Sequence, residues 1–109
     1  MKNQGLAMLS WLLGSLCFTS QLIAAEAAEF DAAAKYLTTC YACHGTGQAH
    51  APVVGEVIEW EIRLEKGMET LVQNTINGLN GVMPARGMCT DCSDSDLIAI
   101  IEYMLEQSK

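Results

Sequence analysis

Apolar residues recur at helical spacing in three stretches of the chain, and no stretch alternates strictly as a half-buried strand would. In residues 29–38, Phe30, Ala33, Ala34 and Leu37 follow the i, i+3, i+4, i+7 pattern and predict a helix that leads straight into Cys40. Residues 68–79 predict a second helix, with Leu71, Val72, Thr75, Ile76 and Leu79 on one face. Gly67 and the Asn77-Gly78 pair punctuate its ends. Residues 94–107 predict a third, with a stripe of Leu97, Ile98, Ile101, Met104 and Leu105. Ser93 is its expected N-cap, and Asp94 and Asp96 fall in the first turn, where the helix dipole favours negative charge. A shorter helical turn is predicted at residues 60–64.

Two glycine-bearing connections separate these helices. One is residues 45–55, with Gly45, Gly47 and Pro52; the other is residues 80–92, with Gly81, Pro84 and Gly87. Loops of 11 and 13 residues are long for so small a domain unless they wrap something.

The N-terminal apolar stretch has a different meaning. Lys2 precedes residues 6–18, which carry no charge, and small residues follow. This is the pattern of a secretory signal, with Ala25-Glu26-Ala27 as the expected cleavage motif and Ile23-Ala24-Ala25 as the alternative. A spanning helix needs about 20 apolar residues, and Ser10, Ser15, Thr19, Ser20 and Gln21 interrupt this one. No stable membrane insertion is therefore expected. Cys17 follows the bulky Leu16, which disfavours lipid attachment. The predicted organisation is a cleaved signal over residues 1–27 and one domain over residues 28–109, exported to the periplasm.

Composition narrows the function. The 109 residues carry 6 basic and 13 acidic side chains, a formal charge of −7. Such a chain holds one domain and repels phosphate backbones, so nucleic acid is disfavoured as a partner. Loss of residues 1–27 removes one acid, one base and Cys17, leaving 82 residues, the same charge and four cysteines. A domain of this size is commonly stapled by a cofactor, metal or disulfide, and export favours disulfides.

Those four cysteines form two CxxC pairs, Cys40/Cys43 and Cys89/Cys92. The first reads Cys40-Tyr41-Ala42-Cys43-His44, the C-x-x-C-H motif of covalent haem attachment. Two thiols one helical turn apart can reach the two vinyl groups on one porphyrin edge, and the adjacent imidazole is an axial ligand for the iron. A thioredoxin-type reading lacks its βαβ context. The serious rival is a zinc site built from Cys40, Cys43, Cys89 and Cys92. The 45 residues between its knuckles exceed the roughly 15–20 of common zinc patterns.

A sixth iron ligand is sought among the methionines. Met68 and Met104 lie in helical stretches and suit core filling. Met83, in the loop Gly81-Val82-Met83-Pro84, is the candidate, with Met88 as the fallback. His50 lies six residues after His44, too near to cross a macrocycle easily, and is expected at the surface. The pair Cys89-Thr90-Asp91-Cys92 has no following histidine and is not a second haem motif. A disulfide there would stiffen the long loop; two free thiols are the alternative.

The stretches CYACHGTG, GMETLVQNTINGLNGVMP and GMCTDCSDSDL together resemble the small class I monohaem c-type cytochromes, specifically the cytochrome c5 family, over residues 30–107. The resemblance implies an all-α class I cytochrome c fold wrapped round one covalent haem c. Cys40 and Cys43 would form its thioethers, and His44 and Met83 would be the axial ligands. Pro52 would orient His44 through its backbone carbonyl, Cys89 and Cys92 would form the family's extra disulfide, and Trp60 would contact the haem or bond a propionate. The first and last helices would cross through Phe30 and Tyr103. Family members often carry proline and lysine where this chain has Ala85 and Arg86, which keeps the basic character.

The function expected is that of a monomeric one-electron carrier, not an enzyme, because no nucleophile triad or paired-carboxylate site is visible. Glu56, Glu59, Glu61, Glu65 and Glu69 form a solvated face that would favour transient docking to basic redox partners. Alternatives are a five-coordinate gas-binding haem protein, a zinc-binding interaction module that uses all four cysteines, and a membrane-anchored carrier.

Overall fold

The computed structural model describes residues 28–109, in which five helices and their loops surround a cavity. The predicted signal segment lies outside the described residues. Helix α1 (Ala32–Thr39) begins where the Asp31 carboxylate accepts the Ala34 backbone N–H at 2.9 Å. That cap starts the helix after Phe30 rather than at Glu29, because Asp31 itself is extended. Phe30 nevertheless packs against the core from just outside the helix. Cys40 closes α1 and opens α2 (Tyr41–His44), a single turn that carries the second cysteine and the histidine.

After a 3₁₀ turn at Gln48–His50, helix α3 (Val57–Leu64) starts three residues earlier than the sequence pattern indicates. Its apolar residues Val57, Ile58, Ile62 and Leu64 are exposed, and only Trp60 is buried. An outward apolar face does not register as the buried stripe of an amphipathic helix, so the pattern showed little of α3. Helix α4 (Met68–Asn77) ends two residues before Leu79. Gly78 takes φ +80°, and a Cβ there would lie 2.7 Å from the Met83 carbonyl oxygen. Only glycine lets the chain turn at this point while the Met83 loop folds back on it. Leu79 and Met83 then form an isolated antiparallel bridge, and there is no β-strand among the described residues.

Helix α5 (Asp94–Glu106) carries a full capping box, Ser93 and Asp96 each bonding the other's backbone N–H. It packs against both α1 and α4. Leu97, Ile100 and Met104 of α5 join Tyr36, Trp60, Cys89 and Cys92 in the core. Where α1 meets α5 the rings of Tyr36 and Tyr103 lie with centroids 5.5 Å apart, and Phe30 and Tyr103, the pair expected at the crossing, both pack against the core cluster. Beyond α5 the buried Ser108 hydroxyl donates to the Met104 carbonyl and accepts the Gly55 N–H at 2.9 Å, which ties the chain end to the loop before α3.

Candidate functional site

The C-terminus of α1 and the single turn of α2 bring Cys40, Cys43 and His44 to one edge of a cavity of about 630 Å³. Both cysteines are free thiols and half-buried. Burial pushes the Cys40 thiol pKa up, with the neighbouring Thr39 hydroxyl opposing it. Leu71 of α4 and Leu97, Ile100, Ile101 and Met104 of α5 give the cavity an apolar lining.

His44 is held in one orientation. Its Nδ1 lies 2.9 Å from the Pro52 carbonyl oxygen, which can only accept, so Nδ1 carries the proton and Nε2 keeps a lone pair. Burial pushes the imidazole pKa down, against the raising effect of that carbonyl. A neutral ring with a fixed tautomer is the form that binds a metal. The backbone helps, because Val54 donates its N–H to the His44 carbonyl at 2.7 Å.

Trp60 fixes the same segment from the other side. Its indole N–H donates to the Val53 carbonyl at 2.9 Å, and its ring lies 5.9 Å from the His44 ring. The only donor of the indole is thus engaged within the protein. Trp60 also lines the cavity, and with its N–H engaged at Val53 an apolar contact is what it has left to offer there.

Two methionines of the long loop line the cavity. Met83 is half-buried, whereas Met88 is 69% exposed. Met104 is buried in the core and Met68 does not face the cavity. His50 is exposed at the cavity rim, with φ +62°.

Cys89 and Cys92 stand at disulfide distance, with Cα atoms 5.5 Å apart, and both are buried in the core away from the cavity wall. Paired with each other, they leave Cys40 and Cys43 without the other half of a four-thiolate site, so the zinc arrangement is not assembled. The residues present do fit a haem: an apolar slot, two thiols at one edge and a neutral imidazole beside them. Arg86 was not singled out as a structural residue by the sequence. Its guanidinium turns inward to Asp94 and to the Cys92 carbonyl, so its charge is not a free surface cation.

Comparison with known proteins places this geometry in context. The family described as "Cytochrome C oxidase, cbb3-type, subunit III" matches residues 27–104. Cytochrome c5 of Azotobacter vinelandii is 45% identical over 76 residues, covering 68% of this chain and 87% of that protein. A mono-heme ferrocytochrome c from Shewanella putrefaciens superposes with a TM-score of 0.63 at 47% identity, over 72% of this chain and 95% of its own. A chain from the electron transfer complex of nitrite reductase with cytochrome c gives a TM-score of 0.64 at 32% identity, over 70% of this chain and 91% of its own.

Proposed function

Because this chain belongs to the class I monohaem c-type cytochromes, the cytochrome c5 family among them, we propose that it is an exported one-electron carrier with His44 and Met83 as axial ligands. Membership already makes it a haem c protein and an electron-transfer protein rather than an enzyme. When bound, the haem supplies reversible ferric–ferrous exchange.

The chain's own residues have distinct tasks. Cys40 and Cys43 anchor the cofactor through thioethers that reduction does not undo. His44 offers Nε2 in a direction set by the Pro52 carbonyl, and Trp60 keeps that carbonyl segment in place. Met83 offers a soft thioether from the loop after α4. Leu97, Ile100 and Met104 exclude water from the cavity wall. The Cys89–Cys92 disulfide braces the loop that follows Met83. With His44 and Met83 both held by the fold, the chain would keep the same ligands in either oxidation state, so little would reorganise.

The single observation that carries this reading is the placement of His44 between Cys43 and the Pro52 carbonyl at the edge of a cavity that Met83 also lines. Export is supported by the uncharged run over residues 6–18 and by cysteines paired as an oxidising compartment allows. No helix of the described residues is long and apolar enough to cross a membrane.

Partners are proposed to be redox proteins with a basic surface, met transiently by a monomeric carrier. Exposed Ile62, Leu79, Val82 and Met88 form an apolar rim round the cavity mouth. Four of the five cations in the described residues, Lys35, Arg63, Arg86 and Lys109, are paired with acids. The exposed Glu56, Glu61, Glu65 and Glu69 stand in no such pair.

The test is to produce the protein in a host with haem-attachment machinery and record its spectra. Covalent haem and the weak long-wavelength ferric band of iron–methionine bonding are expected. Met83→Ala should lose that band and Met88→Ala should keep it. Carbon monoxide binding by the ferrous wild type would instead indicate a vacant sixth position, and a colourless protein would overturn the haem assignment.

A further inference from the structure

Arg86 sits three residues after Met83 and is held at three points. Its backbone N–H donates to the Thr75 carbonyl of α4 at 2.7 Å. Its guanidinium donates to the Asp94 carboxylate at the start of α5 at 2.7 Å and to the Cys92 carbonyl at 2.7 Å. The residue adopts φ +62°, a left-handed conformation that a side-chain-bearing residue keeps only when its surroundings enforce it. At the other end of the same segment, Met83 exchanges backbone hydrogen bonds with Leu79 at 2.9 and 3.1 Å.

The segment from Met83 to Arg86 is therefore pinned at both ends, to the exit of α4 by Leu79 and to α4 and α5 together by Arg86. We propose that Arg86 is a positioning residue that holds the Met83 thioether over the cavity, so that the iron–sulfur bond competes against added ligands. This rests on the reading of Met83 as the distal ligand.

The chemistry favours arginine here. Two nitrogens of one planar fork reach two different acceptors, a carboxylate and a backbone carbonyl, in a single rotamer. A lysine ammonium is a point charge on a flexible stem and does not fix both at once. The ion pair Lys35–Asp91 offers a comparison. It ties the same loop to α1 at 2.9 Å, but on the far side of Cys89, away from the segment that carries Met83.

The measurement is the apparent affinity of the ferric holoprotein for added imidazole, which must displace the thioether, together with the intensity of the long-wavelength band. Removing two charge-assisted hydrogen bonds should raise the population with methionine detached about tenfold, and imidazole affinity rises in proportion. That is expected for Arg86→Ala, an intermediate rise for Arg86→Lys, and no change for Lys35→Ala. Wild-type imidazole affinity in Arg86→Ala would overturn the proposal, as would an equal rise in Lys35→Ala, which would reveal general loosening. Met83→Ala separates the two levels of the argument. If it retains the band, the ligand assignment itself is wrong and the role of Arg86 falls with it; if it loses the band while Arg86→Ala behaves as wild type, only the role of Arg86 is refuted.

Discussion

His44 and Trp60 share one short piece of backbone: the imidazole Nδ1 donates to the Pro52 carbonyl and the indole N–H to the next one, Val53. Trp60 is 6% exposed, so Trp60→Phe leaves a carbonyl without its partner in a site with little water. The expected cost is about 1–3 kcal/mol, seen as a fall in Tm of roughly 4–8 °C per kcal/mol for a domain of this size. Thermal unfolding checks it, and an unchanged Tm would mean that the bond contributes nothing. His44 adds a pH dependence. Burial lowers its pKa below the free value near 6.5, so below that pH the unfolded chain takes up the proton more readily than the folded one. Stability should be fully present above about pH 6.5 and fall as pH drops below it. Ligation of Nε2 by the iron would bar the proton from the folded ring and so act in the same direction as burial. Denaturant midpoints at pH 7.5 and pH 5 measure the two together, and a flat profile would contradict a folded-state imidazole held without its second proton. At this scale the Cys40–His44 motif was legible because its chemistry is contiguous in the chain. Pro52 entered only through resemblance, and the Val53 carbonyl had no signal at all, because every residue carries a carbonyl.

Helix α4 and the loop after it meet at Gly78, where φ is +80° and a Cβ would lie 2.7 Å from the Met83 carbonyl and 2.9 Å from the Ala85 nitrogen. Both neighbours are backbone, so neither can swing aside as a side-chain tip would. Gly78→Ala must therefore strain its own dihedral and displace the Met83 loop, at a cost of order 1–3 kcal/mol. The expected outcome is a lower Tm together with a weakened long-wavelength ferric band, since the displaced segment carries the proposed ligand. A lower Tm with the band intact would show that the loop relaxes without moving Met83. Helix α5 was legible because it buries most of its periodic apolar stripe and opens on a strong cap, Ser93. Of the face expected for α4 only Leu71 is buried, with Val72, Thr75 and Ile76 half-buried, and in α1 the expected Leu37 is 62% exposed while Tyr36, outside the expected stripe, is the residue that enters the core. Their ends were less legible, since Asp31 opens α1 by a side-chain cap and Gly78 closes α4 by its positive φ, and neither registers as hydrophobicity. Helix α3 was legible only in part, because Val57, Ile58 and Leu64 are exposed and Ile62 turns to the cavity rim rather than to the core.

If charge steers the proposed docking, sequence and structure contribute different halves of the account. The formal charge of −7 is plain from composition. Which charges remain available is not, because pairing is a property of the fold. Lys35, Arg63, Arg86 and Lys109 are each within an ion pair, and Lys66 is the one cation among the described residues outside those pairs. The unpaired acids Glu56, Glu61 and Glu65 cluster on and beside α3, whose Ile62 reaches the cavity rim. Exposed charges act over about 8–10 Å at ordinary ionic strength, so they steer an approaching partner without fixing the final complex. Electron exchange with a basic redox partner should therefore slow as salt is added, by roughly one to two orders of magnitude in second-order rate between low and high ionic strength. Stopped-flow measurement against one basic and one acidic partner of similar potential gives the sign. Replacing Glu61 and Glu65 together with glutamine should flatten the salt dependence with the basic partner while leaving the spectrum unchanged, because neither side chain lines the cavity. A rate indifferent to ionic strength, or one that rises with salt for the basic partner, would show that the apolar rim alone guides docking.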